Sequence, residues 1–188
     1  MDSQITLIAA ITLVVLLCLV AAWAVWSSMK KKRAQKLHEK FGPEYDAARQ
    51  RYGQQTDTKL EERIKRVQQL NVRPLTREQG ERFEMAWRTA MSRFIDDPAL
   101  AVAEADRLVK DIMEARGYPI TDFERRVGNI SVDHPQVAQE YRIAHSIAKK
   151  SKVGQATTEE MRESMVHFRA MFQELLAVPA PEMQQMRS

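Results

Sequence analysis

The chain has 188 residues, a net charge of +4 and a single cysteine, Cys18. The lone cysteine excludes an intramolecular disulfide framework. The modest net charge, with 29% charged residues, excludes a highly charged tail-like chain and is compatible with one folded domain of ordinary size beside a further segment.

No charged residue lies between Asp2 and Lys30, and the run ends in Lys30-Lys31-Lys32-Arg33. As a helix, Ile5 to Trp26 is long enough to cross about 30 Å of hydrocarbon. Its leading residues carry no Lys or Arg, and the run is too long for the core of a cleaved signal. The sequence therefore predicts a transmembrane anchor over residues 1–29. Basic residues are retained on the cytoplasmic side, so the N-terminus is expected outside and the rest in the cytoplasm. Trp23 and Trp26 fall at headgroup level, and Lys30, Lys31, Lys32 and Arg33 are expected to face anionic lipid headgroups at the membrane interface.

Residues 30–73 read as a basic helical stem with 13 basic and 6 acidic residues. Phe41-Gly42-Pro43 and Gly53 interrupt its helical pattern. Leu60, Ile64, Val67 and Leu70 then form a narrow apolar stripe, suited to packing on the following domain or to a short coiled coil with another copy. Residues 74–178 carry 15 basic and 17 acidic residues. That slightly acidic balance lacks the basic face that nucleic-acid binding would want, and argues against it.

The sequence of this head predicts an all-α fold. Thr58…Glu61, Thr76…Gln79, Thr121…Glu124 and Thr157…Glu160 match the capping box, in which the threonine accepts from the N3 amide and the N3 side chain reaches back. A first helix carries Phe83, Trp87, Ala90 and Phe94 on one face. Asp97-Pro98 starts a second, with Ala101, Ala105, Leu108 and Ile112 inward, which Gly117 ends. A short helix over Asp122 to Val127 is expected to stop at Gly128. Asp133 and His134 are expected to cap the next helix, with Val137, Tyr141, Ala144 and Ala148 inward. Met161, Met165, Phe168, Phe172 and Leu175 mark the last. The architecture is a compact bundle of four main helices plus one short helix, followed by a flexible tail, 179–188.

Chemistry is sparse. His38, His134, His145 and His167 show no metal-ligand spacing, and neither phosphate-binding nor nucleophile motifs occur. No catalytic, cofactor-binding or metal-ligating residue is assigned, and the chain is read as a non-enzyme. Trp87, Tyr141 and His145 are the residues picked for a small-ligand pocket between helices. Exposed Met91, Met113 and Met171 would instead make an adaptable groove for a partner helix.

Several segments carry a resemblance: Phe41-Gly42-Pro43-Glu44-Tyr45-Asp46, Arg73-Pro74-Leu75, Phe94-Ile95-Asp96-Asp97-Pro98, Arg116-Gly117-Tyr118-Pro119, Ser131-Val132-Asp133-His134-Pro135 and His167-Phe168-Arg169-Ala170-Met171-Phe172. With them the chain resembles an uncharacterised family of bacterial single-span proteins with a helical soluble head. The resemblance implies a bacterial inner (cytoplasmic) membrane and brings no activity or cofactor. The function expected is that of a membrane-anchored accessory subunit or scaffold working with a protein partner or larger membrane complex, with a homo-oligomer left open. The alternative is a membrane-tethered sensor that binds a small ligand within the helical head.

Overall fold

The computed structural model describes residues 2–177, with side chains from residue 16 onward. The expected tail and the first part of the apolar run, 5–15, lie outside the described side chains. The fold is all-α, with no strand among the described residues: α1 Asp2–Phe41, α2 Pro43–Tyr52, α3 Thr56–Gln68, α4 Arg77–Arg93, α5 Pro98–Ala115, α6 Phe123–Asp133, α7 Pro135–Lys152 and α8 Thr158–Ala177. Two compact units divide the chain between Lys40 and Phe41.

The first unit is a single continuous helix. Leu16, Leu17, Leu19, Val20, Trp23, Val25, Trp26 and Met29 are each 59–67% exposed along it. They fall on every side of the helix, because successive residues step by 100°. The Lys30 ammonium sits 5.6 Å from the Trp26 ring centroid. Among the described residues no helix is long and apolar enough to cross a membrane.

The second unit begins where α1 stops. Gly42 has φ +50°, a conformation that L side chains rarely adopt, and Pro43 restarts the helix at its first position. Gly53 (φ +53°) ends α2 and leads through a short 3₁₀ turn into α3. The expected capping box at Thr58 is not formed: α3 already starts at Thr56, whose hydroxyl donates to Gly53 O at 2.6 Å. The expected boxes at Thr76 and Thr157 are both present, each with its reciprocal pair of hydrogen bonds. The fourth is displaced by one residue, since Asp122, not Thr121, accepts from the Arg125 amide. A carboxylate is a good cap acceptor and one residue closer to the helix.

The core of this unit joins Phe83 and Trp87 (α4), Val102, Ala105, Val109, Ile112 and Met113 (α5), Val127 and Ile130 (α6), Val137, Tyr141, Ala144 and Ala148 (α7) and Met165, Phe168, Met171, Phe172 and Leu175 (α8). α5 ends in a Schellman motif: Gly117 N donates to Glu114 O and Tyr118 N to Met113 O, both at 2.9 Å. Gly117 is required twice over, because its φ is +92° and a Cβ there would collide with the backbone carbonyl of Asn71. Met113 and Met171 are fully buried in this core, which removes the expected methionine groove; of the three only Met91 is exposed.

Two expectations are corrected here. α6 does not stop at Gly128 but runs on to Asp133, and residues 126–132 are all buried. Gly128 sits mid-helix because Arg63 of α3 lies against it: an added Cβ would be 3.3 Å from Arg63 Nε. The second concerns the stem. α2 packs on α7 and α3 packs on α6, so residues 43–68 belong to the same unit as the bundle. Leu60 and Val67 of the apolar stripe are buried, and Ile64 and Leu70 are half-buried. The stripe is therefore spent within the chain and is not a free coiled-coil seam.

Candidate functional site

Packing α2 and α3 onto the bundle brings together a charged cluster. The Glu44 carboxylate (side chain 2% exposed) accepts from Arg63 Nη1 at 2.9 Å and Arg142 Nη2 at 3.0 Å. Arg142 Nη1 donates to Glu124 at 3.0 Å, and Arg51 also donates to Glu124. Arg63 further reaches the Ser131 and Tyr52 hydroxyls, each at 3.5 Å. Four helices thus share one ionic network. The hydrogen bond from Arg51, followed by that from Arg142, brings the Glu124 carboxyl down to about 2 despite its partial burial. Burial raises the Tyr52 hydroxyl, but the hydrogen bond and charge of Arg63, with those of Arg51, outweigh it and bring it below its ordinary value.

Arg51, Arg63 and Arg142, with Ala47, Ala48 and Gln50, line a solvent-open cavity of about 330 Å³. The cluster was legible only in part. Arg63 lies three residues after Leu60 and four before Val67, so it falls on the apolar stripe itself. A charge on a buried stripe signals a buried partner, but the sequence does not say that Glu44 and Arg142 supply the pairing.

The histidines of the bundle tie helices together. His145 Nδ1 lies 3.2 Å from Asp106, which also accepts from Lys110 at 2.6 Å. Burial alone would push the Asp106 carboxyl up, but the hydrogen bonds from His145 and Lys110 outweigh it and hold it below the usual range. His167 Nδ1 meets Glu140 at 2.5 Å, and His134 Nδ1 lies 3.2 Å from Glu174, both between α7 and α8. His134 therefore does not cap α7 with its side chain. Asp133 is likewise used elsewhere, accepting from Tyr118 Oη at 2.9 Å. Among the described residues no group of three or more His, Cys, Asp or Glu could hold a metal ion. These pairs cross-link helices.

The three residues picked for a ligand pocket are placed as follows. Trp87 stacks on Phe172, with ring centroids 4.9 Å apart. Tyr141 and His145 gather instead around Phe123, at 5.0 and 4.0 Å. The Tyr141 hydroxyl accepts from Arg126 Nε at 3.2 Å, and burial pushes it up to about 12. An open groove of about 550 Å³ beside Trp87 is lined by Glu84, Arg88, Arg169, Phe172, Gln173, Leu176 and Ala177, and by neither Tyr141 nor His145. On the first unit, Trp23, Trp26, Lys30, Lys31, Lys32 and Arg33 are all exposed on one continuous helix.

No family model, curated protein or solved structure matches the chain.

Proposed function

We propose that this protein is a membrane-anchored, non-catalytic accessory subunit whose helical head serves a protein partner at the bilayer. The observation that carries the reading is the exposure of Leu16, Leu17, Leu19, Val20, Trp23, Val25, Trp26 and Met29 all around α1. A helix that is apolar on every side needs an apolar surround, and the uncharged run from Ser3 to Met29 supplies a bilayer-length segment. Lys30, Lys31, Lys32 and Arg33 then mark the cytoplasmic end, with the head on that side. The pairing of His134, His145 and His167 with Glu174, Asp106 and Glu140 ties these side chains into helix contacts, which supports an interaction role over bond-making chemistry.

The test is recovery of the tagged full chain from native membranes in mild detergent, followed by sizing and mass spectrometry. A stoichiometric complex with a different protein is the expected result. Recovery alone, or only with copies of itself, overturns the accessory-subunit reading.

A further inference from the structure

We propose that the cavity between α2, α3 and α7 is a binding site for a tetrahedral oxyanion of the phosphate class. Three guanidinia line it, Arg51, Arg63 and Arg142. They come from three different helices, α2, α3 and α7. The carboxylates that bond them are two, Glu44 and Glu124, leaving one positive charge of the five uncompensated within the network.

Donor supply points the same way. A guanidinium carries five N–H donors and no acceptor. Glu44 Oε1 and Glu124 Oε2 each already accept from two of the arginines, which takes four of the guanidinium donors.

Arginine forks match phosphate oxygens in pairs, and a tetrahedral anion offers acceptors in more directions than a planar carboxylate. The cavity volume of about 330 Å³ leaves room for a phosphoryl group and waters, at about 30 Å³ per water. Arg51 is the accessible arm, with 43% of its side chain exposed, whereas Arg63 anchors the floor. The proposal rests on this cavity and not on the accessory role, and its test in nanodiscs uses the membrane anchoring proposed above.

The full chain in nanodiscs of phosphatidylcholine would be titrated with inorganic phosphate, with chloride at matched ionic strength as control, and the Tm of the head followed. The same is done in discs containing phosphatidic acid. A saturable rise with phosphate beyond that with chloride is expected, and Arg51→Gln should weaken it about tenfold, the worth of a charge-assisted hydrogen bond. Arg88→Gln, distant from the network, should leave it unchanged. If phosphatidic acid raises the Tm and free phosphate then adds nothing, a lipid phosphate occupies the same site. Equal shifts with chloride and phosphate and no effect of phosphatidic acid would overturn the proposal. So would a shift that Arg51→Gln leaves intact.

Discussion

Glu44 and Arg142 stand 98 residues apart in the chain and are joined by a 3.0 Å ion pair, with the Glu44 side chain almost wholly out of water. The same carboxylate holds Arg63. One buried anion therefore fastens α3 and α7 to α2. Removing a single partner of such a cluster leaves buried cations without compensation, which costs about 3–5 kcal/mol. Glu44→Ala should lower the urea midpoint by a corresponding amount. Glu44→Gln combined with Arg63→Met should be less destabilised than the sum of the two single variants, because the pair is deleted together. Additive losses would show that the two groups are not coupled.

Two glycines with similar backbone strain should respond differently to alanine. Gly154 has φ +68° and open space where a Cβ would lie. Gly154→Ala should cost about 1–2 kcal/mol, the price of a left-handed L residue. Gly117 adds a collision with the Asn71 carbonyl, in a loop fixed by the 2.9 Å bond from Arg73 N to Arg116 O. Gly117→Ala should therefore lose clearly more, about 3 kcal/mol or above, since overpacking adds to the backbone term. Thermal denaturation of the two variants side by side decides the ranking.

The helices of the bundle were readable because their signals are local. Asp97-Pro98, Thr76…Gln79 and the spacing of Met165, Phe168, Phe172 and Leu175 each act within a few residues. Gly128 misled because a mid-helix glycine and a terminal one look alike in sequence; what keeps it is Arg63, 65 positions earlier. The stem's apolar stripe left two partners open, the following domain or another copy; Glu44 and Arg63 pair inward and let α2 and α3 take the first. The candidate site was the least legible part, since Arg51, Arg63 and Arg142 converge only through tertiary packing.

The two units predict a clean separation. The full chain should pellet with membranes and resist alkaline carbonate, because the exposed apolar residues of α1 would be held in lipid. A variant lacking residues 2–28 should stay in the supernatant with a cooperative thermal transition, since the second unit has its own core. Release of the full chain by carbonate would refute the anchor.

Acid should loosen the network through Glu124. Its folded value, about 2, lies below the unfolded value of about 4.3, so its contribution is full above the unfolded value and fades as pH falls toward 2. Solvent screening makes the effect modest, because nearly half of the side chain is exposed. The fall in stability between about pH 5 and pH 2 should flatten in Glu124→Gln. An unchanged slope would exclude Glu124 as a contributor.

His134 should act in a higher pH window. Burial, followed by the nearby charge of Arg116, lowers its pKa, and these outweigh the bond to Glu174 that favours the charged ring. The unfolded histidine, with a value of about 6.5, then binds a proton more readily than the folded one. The stabilising difference is full above about 6.5 and is lost as pH falls through that value toward the folded pKa. A proton NMR titration of the folded protein should show the His134 ring titrating below 6.5, and His134→Gln should reduce the loss of stability between about pH 7 and pH 5.5. A folded value above 6.5 would mean that Glu174 dominates, and the sign of the pH dependence would reverse.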